Sequence, residues 1–303
     1  MDGQPASEVS GLRGLQCGTR WLDLSRPTVM GILNVTPDSF SDGGVLASTV
    51  AGGFHVSVVK ALHAARAMAD AGAGIVDVGG ESTRPGATPV SEQEELDRVI
   101  PVVEAITAEL DVVVSVDTST AAVIAAAASA GAGMVNDVRA LRRPGALAAV
   151  AGTQMAVCVM HMLGEPGDMQ LQPDYKNVVN EVMQFLRERA QHCDLAGIAR
   201  SRICIDPGFG FGKTVSHNYQ LLASLSQIVD MGWPVLVGMS RKSMIGRVLN
   251  QSAGDRLAGS LAAATLAAGQ GASIIRVHDV KETVDAMRIV SAMKNPLTDN
   301  YDQ

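Results

Sequence analysis

The chain has 303 residues, of which 47% are hydrophobic and 18% charged, and this length allows either two ordinary domains or one large α/β barrel. Its net charge is −7, from 24 basic and 31 acidic residues, and no basic block interrupts the acidic balance. A chain of this charge binds nucleic acid and anionic membrane surfaces poorly, so neither is expected as a partner. An anionic substrate must therefore be held by a few local positive groups.

Other features of the composition predict a cytoplasmic protein. The first residues carry neither a basic segment nor an apolar run, so they do not resemble a signal peptide. The two most apolar stretches, residues 121–135 and 257–275, are interrupted by Ser, Thr or Gln and predict packed helices, not membrane spans. The four cysteines lack a zinc-binding spacing, which favours free thiols in a reducing compartment.

Eight short β-branched or aliphatic runs occur along the chain, each followed by a turn and a stretch rich in Ala and Leu. In chain order, the predicted strands are residues 28–34, 75–78, 112–117, 134–137, 156–160, 203–206, 235–238 and 274–277. Predicted helices between and after them include residues 56–71, 92–109, 121–130, 178–196, 256–268 and 280–293. Alternating strands and helices predict a parallel sheet, and eight units favour an α/β fold of the (β/α)8 TIM-barrel type over an open doubly wound sheet.

The barrel is predicted to be a single domain covering residues 15–296. Residues 15–24 fall outside the repeat and predict a short hairpin that closes the floor of the barrel. Residues 1–14 are predicted to be a disordered extension, and residues 297–303 a tail.

Conspicuous polar residues follow all eight predicted strands. They are Asn34, Glu81, Asp117, Asn136, His161, Asp206, the run Ser240, Arg241 and Lys242, and the pair Arg276 and His278. Individually, many such residues are helix caps or turn formers. Because the carboxyl ends of barrel strands converge on one face, their occurrence at every strand end predicts an active site there.

The loops after the first two strands carry candidate anion and metal ligands. Asn34 begins a polar loop, where its side-chain oxygen suits a hard cation, although Asn in loops more often bonds to backbone. Thr83 and Arg84 lie in a loop flanked by Gly and Pro. Arg84 either reaches an anion as part of a lid or is a solvated charge, and its local sequence favours neither.

Residues 206–213 resemble a phosphate-binding loop without matching one. Gly212, Lys213 and Thr214 look like the end of GxxxxGK[ST], but Pro207 stands where the first glycine should be. We therefore reject a nucleotide triphosphate as the ligand of this loop. The alternation of Gly and Phe better suits a loop that lays Phe211 against a flat ligand.

The last two strand ends supply most of the positive charge. Lys242 is a candidate Schiff-base former, phosphate ligand or donor to a carbonyl, and Ser243 begins a predicted helix whose first amides suit an anion. Arg276 and His278 lie two residues apart on one face, an arrangement suited to phosphate, although a lone His at a helix start is usually a cap.

These loops together resemble those of bacterial-type dihydropteroate synthases from about residue 15 to residue 293. The matching segments are residues 34–44, 77–86, 115–118, 136–137, 206–213, 240–245 and 276–280. The resemblance implies condensation of 6-hydroxymethyl-7,8-dihydropterin pyrophosphate with 4-aminobenzoate, to give 7,8-dihydropteroate and pyrophosphate. It further implies Mg2+ as cofactor, C–O cleavage before amine attack, an enzyme of the class that sulfonamides target, and a homodimer formed through helices near the end of the barrel.

The resemblance also assigns roles to residues. It implies that the pterin is held by Asp117, Asn136, Asp206 and Lys242, with Gly238 alongside and Phe211 and Met160 bounding the slot. The implied pyrophosphate ligands are Asn34, Thr83, Arg276 and His278, with Asn34 also a magnesium ligand. The implied aminobenzoate pocket contains Phe40, Arg84, Pro85 and Ser243. The expected catalytic residues are Asn34, Asp117, Asp206, Lys242, Arg276 and His278.

One segment departs from the bacterial pattern. Residues 45–54 contain an insertion of about nine residues after the first loop, which either alters closure of that loop or merely lengthens a surface connection; the second alternative is favoured because long surface insertions cost little.

Three other functions compete with the synthase. A methyltetrahydrofolate methyltransferase would share the pterin-binding acids but would not need Arg276 and His278. A catalytically dead pterin-binding or regulatory protein would be expected to lack Asn34, Lys242 or Arg276. A Schiff-base aldolase would use Lys242.

Overall fold

The computed structural model describes residues 14–36, 47–50, 53–82, 90–164, 169 and 173–296. Its strands, numbered in chain order, are β1 (Gly14–Cys17), β2 (Arg20–Asp23), β3 (Thr28–Asn34), β4 (Ala47–Val50), β5 (Gly53–Val56), β6 (Ile75–Gly79), β7 (Val113–Asp117), β8 (Met134–Asp137), β9 (Ala156–Met160), β10 (Ile203–Asp206), β11 (Leu236–Val237) and β12 (Ile274–Val277). Its helices are α1 (Val58–Asp70), α2 (Glu92–Glu109), α3 (Ala121–Ser129), α4 (Ala146–Ala151), α5 (Val178–Leu195), α6 (Val215–Ala223), α7 (Leu225–Val229), α8 (Ser243–Leu249), α9 (Leu257–Gly269) and α10 (Val280–Lys294).

Eight parallel strands form the barrel. They pair in the order β10–β9–β8–β7–β6–β3–β12–β11, and a parallel bridge between Ile205 and Val235 joins the two ends. The helices pack outside, so the strands are buried on both faces and consist almost entirely of Val, Ile and other apolar residues. The predicted TIM barrel is confirmed, and all eight predicted strands are present with ends that differ by at most a residue or two.

The barrel floor is closed as predicted. Strands β1 and β2 form an antiparallel hairpin, and Leu15, Cys17 and Leu24 join the cluster of side chains that fills the lower barrel. All four cysteines are free and buried. Residues 1–13 and 297–303 lie outside the described residues, so the predicted extension and tail stay predictions.

The insertion contains regular structure. Strands β4 and β5 pair antiparallel, with Ala47 opposite Val56 and Val50 opposite Gly53. The predicted helix at residues 56–71 therefore starts later, at Val58, after the Ser57 side chain caps it by accepting a hydrogen bond from the amide of Lys60. No described helix is long and apolar enough to cross a membrane.

Candidate active site

The polar side chains at the strand ends converge at the carboxyl-terminal mouth of the barrel. The strand registers place Asp117 beside Asn136 and beside Gly79. A Cβ atom on Gly79 would lie 3.3 Å from Asn34 Oδ1 and 3.6 Å from Asp117 Cβ, so these two side chains face the same space. The structure thus brings together residues of the predicted pterin and pyrophosphate sites.

Arg276, from β12, reaches across this space to two carboxylates. Its Nε donates to Asp77 Oδ2 at 2.7 Å, and its Nη2 donates to Asp117 Oδ2 at 2.9 Å. Asp77 Oδ2 also accepts a hydrogen bond from Asn136 Nδ2 at 3.0 Å. Asp77 is completely buried, and no role for it is predicted from the sequence. Two signals for it stand in the sequence: a charged residue inside the apolar run of β6, and its place at the start of the matching segment 77–86.

Burial controls the protonation of Asp117. It raises the pKa of Asp117 to about 7, with a further increase from Asp77 and an opposing decrease from Arg276. For Arg276, burial lowers the pKa, but Asp77 and Asp117 outweigh it, so the guanidinium stays charged. Asp117 therefore changes charge near neutral pH, whereas Arg276 does not.

Asp206 and Lys242 form the opposite side of the mouth. Asp206 Oδ1 accepts from the amide of Gly208 at 2.7 Å, and burial raises the pKa of Asp206. Lys242 Nζ donates to the carbonyl of Phe209 at 2.5 Å and lies 4.5 Å from the centre of the Phe211 ring. Burial lowers the pKa of Lys242 to about 8, against the opposing effect of Asp206. A neutral amine is thus accessible at mildly alkaline pH.

An apolar cluster borders these polar groups. Met160, at the end of β9, packs with Val138, Met162 and Met169, and Phe211 packs against them. The predicted neighbours Met160 and Phe211 therefore do lie together, next to Lys242. They provide a surface on which a flat ring can pack.

Lys213 holds the loop that carries Phe211. Its buried Nζ contacts His161 Nδ1 at 2.8 Å and donates to the carbonyls of Gly208 at 2.9 Å and Phe211 at 3.0 Å. Burial, and secondarily the charge of Lys213, lowers the pKa of His161 to about 2, so the ring is a neutral acceptor. Burial lowers the pKa of Lys213 well below its usual value, and its Nζ is directed at protein atoms, in agreement with the rejection of a phosphate loop. This structural role of Lys213 was missed.

The other predicted residues have mixed outcomes. His278 Nδ1 lies 3.0 Å from Ser240 Oγ, which also accepts a hydrogen bond from the His278 amide at 3.2 Å. Gly238 adjoins Arg276, and Ser243 is the exposed first residue of α8. Phe40, Thr83, Arg84 and Pro85 lie outside the described residues. The roles assigned to all the site residues stay predictions.

Comparison with known proteins identifies the family. The family model described as pterin binding enzyme matches residues 30–278. Dihydropteroate synthase of Escherichia coli (strain K12) is 57% identical over 271 residues, which cover 89% of this chain and 93% of that protein. The chain belongs to the dihydropteroate synthase family. It is therefore a transferase, and membership in this family rules against the methyltransferase and aldolase alternatives.

Solved structures agree with this assignment. Dihydropteroate synthase of Yersinia pestis, in a complex with a sulfonamide drug, is 55% identical with a TM-score of 0.88, over 93% of this chain and 99% of that chain. The enzyme of Burkholderia cenocepacia, complexed with 7,8-dihydropteroate, is 47% identical with a TM-score of 0.82, over 93% and 97%. The synthase fold is thus shared along nearly the whole chain.

Proposed function

We propose that this dihydropteroate synthase joins 6-hydroxymethyl-7,8-dihydropterin pyrophosphate to 4-aminobenzoate, releasing 7,8-dihydropteroate and pyrophosphate. The observation that carries the proposal is the cluster at the barrel mouth, where buried acceptors lie beside a fixed guanidinium and an ammonium. The product complex of the Burkholderia relative supports the same reaction.

Asp117, Asn136 and Asp206 are suited to bind the pterin. A carboxylate accepts two N–H groups from an aminopyrimidinone edge, and the Asn136 amide can both donate and accept. Lys242 supplies the donor for a ring carbonyl or nitrogen. Phe211 lies against Lys242 and can cover one face of the ring. Together these groups satisfy a heterocycle that carries an amino group and a ring N–H.

The pyrophosphate is assigned to Arg276, His278, Asn34 and Thr83. The described residues contain no cluster of three or more His, Cys, Asp or Glu side chains able to hold a metal ion. Mg2+ commonly takes few protein oxygens and completes its shell with water and substrate phosphates, so the single oxygen of Asn34 fits it. When bound, Mg2+ would offset charge on the departing pyrophosphate.

The expected order of bond changes follows from these groups. The methylene C–O bond breaks and its electron pair leaves on pyrophosphate, where the positive charge of Arg276 stabilises it. The remaining cation is delocalised over the pterin ring. The neutral arylamine then attacks the methylene carbon and loses a proton to solvent, so no strong general base is required.

The aminobenzoate is assigned to Phe40, Arg84, Pro85 and Ser243. Ser243 and the amides at the start of α8 suit its carboxylate, and a loop that closes over the ring would order the binding of the two substrates. The sulfonamide complex of the Yersinia relative supports the expectation that such drugs bind here.

The oligomer is proposed to be a homodimer formed through α8 and α9. Helix α9 is apolar around its circumference, and Leu257 and Leu266 on it are 38% and 59% exposed. Val248 and Leu249 on α8 are 62% and 43% exposed. Exposed apolar residues on neighbouring helices favour an interaction site, and a second copy of this chain is the proposed occupant. The free buried thiols support a cytoplasmic location.

The test of the reaction is pyrophosphate release by the purified protein. The pterin pyrophosphate, 4-aminobenzoate and Mg2+ are each omitted in turn. Release should require the pterin substrate and Mg2+, and dihydropteroate should appear only when the arylamine is added. A folded protein that binds the pterin but releases no pyrophosphate would contradict the proposal and favour the regulatory alternative.

A further inference from the structure

We propose that Asp77 is a positioning residue that acts as a fixed pivot for Arg276, so that pterin binding at Asp117 frees the guanidinium for pyrophosphate. The inference deepens the proposed function and rests on its assignment of the two subsites. It predicts that pterin and pyrophosphate bind cooperatively even when they are separate molecules.

The first observation is how completely Asp77 is enclosed. Its side chain is 0% exposed, and a buried carboxylate is costly unless it is paired and hydrogen-bonded. Oδ2 meets this need through Arg276 Nε and Asn136 Nδ2. Oδ1 has no partner within the described part of the chain, and neither does the buried hydroxyl of Ser115, its register neighbour on β7. Arg276 and Asn136 are therefore the two side chains that Asp77 orients.

The second observation is that Arg276 is shared between two unequal carboxylates. Asp117, 11% exposed, lies at the mouth and is assigned to the pterin, whereas Asp77 lies one layer deeper, out of reach of a ligand. A pterin N–H that takes the position of Arg276 Nη2 at Asp117 Oδ2 would displace this donor from the oxygen. The bond from Nε to Asp77 is not subject to this displacement.

Arg276 would therefore exchange one hydrogen-bond partner while it stays in place. With Nε still held by Asp77, the displaced Nη2 is available to an anion at the mouth. Nη1 makes no hydrogen bond to any described residue and is available as well. Without Asp77, the guanidinium would remain beside Asp117 as a competitor of the pterin. The pterin and pyrophosphate subsites are then linked through Asp77 and Arg276, and by reciprocity each ligand strengthens the other.

The experiment uses the two halves of the substrate as separate probes. Calorimetry measures the Kd of inorganic pyrophosphate with Mg2+, in the presence and absence of saturating 6-hydroxymethyl-7,8-dihydropterin. For the unmodified protein we expect pyrophosphate to bind at least about 5-fold more tightly when the pterin is present, the lower range of typical coupling. In Asp77→Asn this ratio should fall to about 1. In Ser115→Ala, a matched change in the same buried layer, the ratio should be retained.

The measurement separates positioning from mere support of the fold. A purely structural role would weaken both ligands in Asp77→Asn but leave the ratio unchanged, and that outcome overturns the proposal. A ratio of 1 in the unmodified protein also overturns it, whether or not Asp77→Asn folds. Failure of the proposed function is distinct, because the unmodified protein would then make no dihydropteroate.

Discussion

Replacing Gly208 with Ala tests the geometry of the loop that follows β10. Gly208 has a φ of +69°, and a Cβ atom there would lie 1.9 Å from the carbonyl oxygen of His161. Because this neighbour is backbone, the loop itself must move. Movement strains the bond from the Gly208 amide to Asp206 and the bond from Lys213 to the Gly208 carbonyl. The first orients a proposed pterin ligand, so stability and substrate binding should change together.

Gly197→Ala is the matched control. Gly197 has a φ of +87°, but a Cβ atom there would meet nothing within 4 Å. Left-handed backbone costs Ala roughly 1–2 kcal/mol, partly offset by about 0.4–1 kcal/mol from the less flexible unfolded chain. Gly197→Ala should therefore lower the free energy of unfolding by about 1 kcal/mol. Gly208→Ala bears the same cost plus the loss of two buried hydrogen bonds at roughly 1.5 kcal/mol each, about 4 kcal/mol in total.

The assay is urea unfolding of both variants, with the slope on denaturant compared to confirm that the unfolded states are alike. Gly208→Ala should also raise the KM for the pterin substrate at least about tenfold, whereas Gly197→Ala should leave it unchanged. Equal destabilisation of the two variants, or an unaltered KM in Gly208→Ala, would refute the reasoning.

The remaining predictions concern the catalytic groups, the metal and the oligomer. Arg276→Ala and Lys242→Ala should each lower kcat/KM at least about 100-fold in steady-state assays, because each removes a positive charge that stabilises the reacting groups. The circular dichroism spectrum should not change. Near-normal activity in both variants would exclude the proposed site. The value of kcat/KM should fall below about pH 7, where Asp117 gains a proton and no longer accepts from the pterin, and above about pH 8, where Lys242 loses its proton. Lys242→Arg should remove the fall at alkaline pH. An unchanged fall at alkaline pH in this variant would contradict the assignment. Chelation of Mg2+ should abolish turnover until Mg2+ is restored, and Asn34→Ala should raise the Mg2+ concentration required for half-maximal activity; equal requirements would argue against Asn34 as a ligand. Leu266→Glu should halve the mass found by light scattering, because a charge placed in an apolar interface is costly, and a dimer that persists would place the interface elsewhere.

The barrel could be predicted because its strands are short apolar runs separated by helices. Few architectures bury both faces of every strand in such a series. Helix ends were harder to predict. The start of α1, for example, is set by the capping side chain of Ser57, and the spacing of hydrophobic residues does not mark it. The short helices α4 and α7 lack enough turns to show a period in the sequence.

The site could be predicted only as a set of strand-end residues. Which residues bond to one another depends on closure of the barrel, and Asp77 and Arg276 are brought together only when β12 pairs with β3 next to β6. The sequence places Asp77 inside a strand, without indicating that its oxygen would meet Arg276. The sequence around Lys213 likewise shows only a mismatch to a phosphate loop, because nothing local reveals that the Lys213 amine turns inward.

The central position of β3 has a consequence for synthesis of the chain. Strand β3 is made early, yet one of its two neighbours, β12, is the last strand of the barrel to be made. At the ~5–20 residues per second of translation, this edge waits on the order of tens of seconds for its partner. Until then, the apolar residues of β3 and of the β1–β2 hairpin cannot be buried in a closed barrel. The nascent chain therefore offers chaperones an exposed strand edge, and completion of the active site coincides with closure of the barrel.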